Sequence, residues 1–297
     1  MFCNETINEV LKIFRCYRES SGLKVNYDKT EILRLGSIKN TDAKFFTQDV
    51  IRWTNETVKV LGITLSTNLR DITKLNIDPK IESIIKTWGW RKLTPYGKVT
   101  IINSLLTSQL VYASSVLPSP KSQLLCKIDK TLFNYLWDKK PHRLKKRVMI
   151  NKLENGGIKM VDVGIKDTAM KAAWVQRVFQ CKDRNEGFFG LEYYTKVDID
   201  VLFKCNLSEA DIEYCWKKRP SEFWVDVLKA WARYNFKKKC DCLQFNNEYL
   251  WLNSNIRVSG KPVIYKEFIE KGILHVADIK HTTGRILTFT ELIEKYR

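Results

Sequence analysis

Histidine is scarce in this chain, proline is sparse, and no two acidic residues are adjacent anywhere along it. Only His142, His275 and His281 are present. With no Gly-x-Ser-x-Gly elbow beside them, they leave little room for a hydrolase of the nucleophile–histidine kind. The Gly-x4-Gly-Lys-Ser/Thr spacing of a P-loop is missing, as are kinase and dinucleotide fingerprints. No apolar run approaches the roughly 20 residues of a membrane span, and residues 1–20 mix charged with apolar positions, unlike a secretory signal. The expectation is a soluble intracellular protein, nuclear or cytoplasmic, with no membrane partner.

The eight cysteines (Cys3, Cys16, Cys126, Cys181, Cys205, Cys215, Cys240 and Cys242) are scattered instead of clustered. That spacing excludes a dense disulfide framework and suits reduced, mostly buried thiols. Cys240-x-Cys242 is too tight for a zinc pair, although Cys215, His275 or His281 could complete a set; no metal site is assigned.

What the chain has is positive charge. Lys and Arg outnumber Asp and Glu by 51 to 33, a formal charge of +18 over 297 residues. Such an excess holds a protein near polyanions and makes binding steeply salt-dependent, so nucleic acid is the first partner to expect and an anionic membrane surface the second. At 44% hydrophobic the chain can bury a substantial core.

Periodicity divides the chain. Ile7, Val10, Leu11, Phe14 and Tyr17 mark one helix face, with Gly22 as the stop. Residues 24–26 and 30–35 read as short strands about a turn at residues 27–29, and residues 58–65 alternate at period two with Gly62 as a bulge or close backbone approach. From Ile77 onward the pattern turns helical. Thr94-Pro95 is an N-cap with proline at the first helical position, and Ser119-Pro120 repeats the device. Asn155-Gly156 between two apolar runs is a hairpin signal. The last third is aromatic-rich, with Trp224, Val227, Leu228 and Trp231 on one helix face, and residues 256–268 extended and then helical. Trp88, Trp90, Trp174, Trp216, Trp224, Trp231 and Trp251 are read as packing residues.

Several segments, in order, carry a resemblance. SGLKVNYDKTEIL (residues 21–33) is similar to the stretch just after the catalytic aspartates in the palm of non-LTR (LINE-type) retrotransposon reverse transcriptases. Residues 58–65, VKVLGITL, resemble their primer-grip strand pair, and residues 90–112 the entry to their thumb. Residues 134–138, 155–162 and 272–278 resemble segments beyond the thumb. The resemblance implies an α+β chain: an incomplete palm sheet over 1–70, a mainly helical thumb with a basic connector over 71–185, and a mainly helical C-terminal domain over 186–297. It implies an RNA template and a DNA primer as partners, together with an N-terminal polymerase region. Mg²⁺ is implied for the complete enzyme and no cofactor for this chain.

Polymerases of the two-metal kind hold cations about 3.5 to 4 Å apart on carboxylates, two of them adjacent in this family. No adjacent pair exists here, so the resemblance places the active site upstream of Met1 and makes this chain a nucleic-acid-binding portion that does not polymerise alone. The alternative is a retained, non-enzymatic nucleic-acid-binding or interaction protein derived from such an element.

Carried over by resemblance, Lys29 matches a lysine proposed to protonate departing pyrophosphate; otherwise it is an ordinary charged turn residue. Gly62 matches the primer-grip glycine or marks a plain bulge. Arg91, Lys92 and Lys98 flank the capped helix start and are candidate phosphate contacts. Lys139, Lys140, Arg143, Lys145, Lys146 and Arg147 place six cations in nine positions beside Trp137, either a nucleic-acid contact or a solubilising or nuclear-targeting tract. Asp198/Asp200 and Glu209/Asp211/Glu213 read as solvated surface charge.

Overall fold

A computed structural model describes residues 4–36, 52–68, 72–141, 143–180, 191, 195, 197–214, 220–238 and 247–296. The fold is α+β, with a short strand region followed by mostly helical structure. It divides into two units, Met1–Pro79 and Lys80–Arg297. The boundary expected near residues 181–190 lies outside the described residues.

In the first unit, α1 (Asn4–Ser21) ends at Gly22, whose φ of 72° lets its N–H turn back to the Arg18 carbonyl. Its apolar stripe is largely bare: Leu11 is buried while Val10, Phe14 and Tyr17 are exposed. Residues 24–26 form no strand. Tyr27–Lys29 is instead a 3-10 turn, capped by the Asn26 side chain accepting from the Lys29 N–H. β1 (Glu31–Leu33) pairs in parallel with β2 (Arg52–Thr54).

β3 (Thr57–Val60) and β4 (Ile63–Ser66) form an antiparallel hairpin in which Val60 faces Ile63. The expected bulge at Gly62 is therefore corrected to a two-residue turn. Leu61 and Gly62 both have positive φ, 48° and 81°, as a type I′ turn demands. Period-two alternation continues through a two-residue turn, which is why residues 58–65 looked like one strand. Buried Asn76, on α2 (Ile72–Trp88), accepts from the Thr64 N–H at 2.7 Å and donates to the Thr64 carbonyl at 2.8 Å. One amide thus replaces a strand partner on β4.

The second unit is built around Pro95–Val116. α3 (Pro95–Ile101) opens with the Thr94 hydroxyl accepting from the Gly97 N–H, a π-turn covers Ile102–Leu106, and α4 (Thr107–Val116) continues to Leu117. By length and composition this run is apolar enough to cross a membrane, contrary to the expectation that none would be. Here Ile102, Leu106, Leu110 and Ala113 are buried, and α4 packs on α7 (Val163–Gln180). The π-turn puts Asn103 where its amide donates to the Lys159 carbonyl and accepts from the Val161 N–H, at 2.9 and 3.0 Å.

α5 (Ser122–Leu136) buries Leu124, Ile128, Leu132 and Leu136. Its cap is Lys121 without a side-chain bond, so Ser119-Pro120 does not repeat the Thr94 device. The Ser119 N–H goes instead to the Asp226 carboxylate at 2.7 Å. The hairpin expected around Asn155-Gly156 is also corrected: α6 (Lys146–Ile150) and a 3-10 turn over Leu153–Asn155 precede Gly156, at φ 73°. The turn is real but its arms are not strands. Gly157 lies so close to the Asn151 and Val148 carbonyls that a Cβ there would collide with both.

Short helices α8 (Ile199–Lys204) and α9 (Glu209–Tyr214) lead to α10 (Glu222–Lys238), which packs on α7. The chain then forms β5 (Arg257–Val258), β6 (Lys261–Pro262), α11 (Lys266–Glu270) and α12 (Phe289–Lys295). Val175, Val178, Leu202, Phe203, Val227, Leu228, Trp251 and Ile273 form the centre of this core. Each such side chain, fully withdrawn from water, contributes about 1.5–3 kcal/mol. The indoles of Trp174, Trp231 and Trp251 donate to the carbonyls of Ser115, Phe203 and Ile273. These tryptophans are packing residues, as their pattern predicts. Trp216 lies outside the described residues.

Candidate nucleic-acid interface

Trp137 ends α5, and the next two residues, Asp138 and Lys139, both take positive φ, 52° and 59°. The backbone stays hydrogen-bonded through the bend: the Lys139 N–H reaches the Asn134 carbonyl and the Lys140 N–H the Trp137 carbonyl. A tight left-handed bend therefore opens the basic run, in which Lys139, Lys140, Arg143, Lys145 and Arg147 are exposed.

Two members of the predicted cationic set are not surface groups. Lys98 is only 3% exposed; its ammonium forms an ion pair with Asp138 and lies 3.5 Å from the Leu136 carbonyl. The expected phosphate contact is corrected, because burial and pairing have already spent that charge inside the fold. What Lys98 does is join the first turn of α3 to the start of the basic run. Lys146 is half-buried between Asp129 and Asp162, at 2.6 and 2.8 Å. Burial lowers its pKa, but its hydrogen bonds to the Asp129 and Asp162 carboxylates outweigh that and raise it overall. Asp162 is lowered in turn, since its bond with Lys146 and the Ile165 N–H outweigh the upward pull of burial. Lys146 is a clasp between α5 and the start of α7.

Arg91 and Lys92 are exposed on the connection between α2 and α3. The Arg91 guanidinium lies 4.1 Å from the Trp88 ring centroid and 5.3 Å from that of Trp90. Gly89 makes the bend possible: its N–H binds the Ile85 carbonyl at 2.7 Å, and a Cβ would come within 2.6 Å of that oxygen. Trp90, read as a packing residue, is 75% exposed. Neither this exposure nor the Asp138 partner of Lys98 leaves a local mark in the sequence.

In the first unit Lys29 is exposed in its 3-10 turn, and Gly62 sits at the hairpin tip beside Leu61, which is 88% exposed. The glycine serves the turn directly.

The acidic sets are more structured than expected. Asp198 caps α8 by accepting from the Asp200 N–H. Glu209, Asp211 and Glu213, on α9, pair with Arg233, Arg257 and Lys229 respectively. They fasten α9 to α10 and to β5. Among the described residues no three His, Cys, Asp or Glu side chains are grouped so as to hold a metal ion. Cys16 and Cys126 are exposed and Cys205 buried, so burial is not general among the described thiols. Cys215, Cys240 and Cys242 lie outside them.

No protein-family model matches the chain. It is similar to the transposon TX1 uncharacterized 149 kDa protein of Xenopus laevis, 27% identical over 165 residues. That stretch covers 54% of this chain but only 12% of the Xenopus protein.

Proposed function

We propose that this chain is a nucleic-acid-gripping portion of a non-LTR retrotransposon reverse transcriptase, carrying the last palm elements, the thumb and the helical region beyond. The observation that carries the reading is the ordered set of family-like segments from residue 21 to residue 278, in a chain similar to a transposon protein. The charge of +18 and the exposed cations Arg91, Lys92, Lys139, Lys140, Arg143, Lys145 and Arg147 are of the sign a template–primer duplex requires. In this reading RNA template and DNA primer are held by backbone electrostatics, and the carboxylates that would seat magnesium belong to another part of the polymerase.

A second reading is favoured by one observation, the absence of any adjacent acidic pair from the sequence. A non-enzymatic nucleic-acid-binding protein derived from such an element would keep the grip and dispense with the chemistry. Both readings predict that the purified chain binds an RNA–DNA primer–template and incorporates no nucleotide. Adding the N-terminal polymerase region in trans separates them: restored primer extension supports the first, and extension unaffected by this chain supports the second. A chain that fails to retain primer–template at low salt contradicts both.

A further inference from the structure

Trp90 stands apart from the core tryptophans Trp174, Trp231 and Trp251. The indoles of Trp174, Trp231 and Trp251 are each tied by a hydrogen bond to a carbonyl, whereas Trp90 presents three-quarters of its surface to solvent. An exposed hydrophobic side chain alone is ordinary. What distinguishes this one is how it is held. Gly89 closes a bend that admits no side chain, and the Arg91 guanidinium lies over both Trp88 and Trp90. Trp88 is half-buried at the end of α2, so one partner of Arg91 is fixed in the fold while the other is offered outward. The cation braces the indole, which still keeps three-quarters of its surface in solvent. Lys92 follows, exposed, and Tyr96, four residues later in the first turn of α3, is 60% exposed.

We infer that Trp90 is a stacking platform for an unpaired base, with Arg91 and Lys92 meeting the adjoining phosphates, so that this connection binds single-stranded nucleic acid. The inference rests on the nucleic-acid reading above and adds to its duplex an unpaired segment held at this connection. The chemistry selects that occupant. A stacked base needs an open π-face, which a paired base inside a duplex does not offer, and its phosphates need cations within a nucleotide's reach. An apolar protein partner would leave Arg91 and Lys92 with uncompensated charge on burial. Stacking on an indole accepts every base, so the site carries little sequence preference.

The test compares the full chain with its Trp90→Ala and Trp90→Phe variants. Each is titrated with a short single-stranded DNA and with a blunt DNA duplex of equal length, over a range of salt. Trp90→Ala should weaken single-strand binding roughly ten-fold and leave duplex binding within about two-fold, and Trp90→Phe should recover most of the loss. The salt slope should stay unchanged, since no charge is removed. Because the indole is exposed, both variants should melt like the parent. If Trp90→Ala binds single strands as the parent does, while neutralising Lys139, Lys140 and Arg143 weakens them, the platform is overturned and the nucleic-acid reading survives. If the parent binds neither form, both fall.

Discussion

The ammonium of Lys98, buried in the first turn of α3, forms an ion pair with the carboxylate of Asp138, forty residues later at the end of α5. The two ends of this pair differ in solvation: Lys98 is sealed in, whereas the Asp138 side chain is 66% exposed. Asp138→Asn leaves a buried cation without its counter-charge, whereas Lys98→Met removes the buried charge and leaves a carboxylate in water. Asp138→Asn should therefore cost more, about 2–3 kcal/mol against about 1 kcal/mol for Lys98→Met, read from urea midpoints. Equal costs would mean that the pair behaves as a surface contact.

The hairpin tip stores strain. Leu61 sits at φ 48°, a conformation that Asn tolerates far better than a branched aliphatic residue, and the following residue is already glycine. Leu61→Asn should stabilise the protein by about 0.5–1 kcal/mol, and Gly62→Ala, at φ 81°, should destabilise it by about 1 kcal/mol. Thermal melts of the two variants check both signs.

Lys171, fully buried on α7, donates to the carbonyls of Ser114 and Leu117 and lies 4.5 Å from the Phe223 ring centroid. Burial pulls its pKa from 10.5 down to about 8, against the opposing attraction of Asp167 and Asp226. Between those values the unfolded chain keeps a proton that the folded chain sheds, so stability rises with pH across that window. Below about 8 the cost of the buried charge is fully present, on the order of 3 kcal/mol. Lys171→Met should abolish the gain in melting temperature between about pH 7.5 and about pH 10 that the parent shows.

Asp211 works in the opposite sense. Burial pushes its pKa up, but the Ser254 and Ser208 hydroxyls and the Arg257 guanidinium outweigh burial and hold it below the usual carboxylate range. Its contribution is complete above the unfolded value near 3.9 and is lost as pH falls through the lower folded one. Asp211→Asn should lower stability at neutral pH by about 1–3 kcal/mol and flatten the acid limb of the stability profile below about pH 4. A variant with the parent's acid limb would show that the three donors do not favour the carboxylate.

Much of this was legible locally. Thr94-Pro95 announced its helix because the cap hydroxyl and the proline act within one turn, and α10 announced its buried face through period 3.6. The hairpin at Leu61-Gly62 was hidden because a two-residue turn preserves the alternation of its arms. At Asn155-Gly156 the turn was visible and its arms were misread, since the carbonyls that crowd Gly157 come from a helical segment that alternation cannot distinguish from a strand. The charge sites divided by range. Arg91 and Lys92 remained exposed as their sequence suggests, whereas Lys98 and Lys146 were taken inward by carboxylates 40 and 16–17 positions away. A count of basic residues measures attraction for a polyanion, but only packing decides which of them are left to exert it.

The exposed part of that charge is what would hold a polyanion. Its most direct test is the slope of log binding constant against log salt for a primer–template duplex, measured on the parent chain and on a variant with Lys139, Lys140 and Arg143 all changed to Gln. A steep negative slope, shallower by about 2 to 3 in the variant, is the predicted result. Binding that is insensitive to salt, or a slope that the triple substitution leaves unchanged, would contradict it.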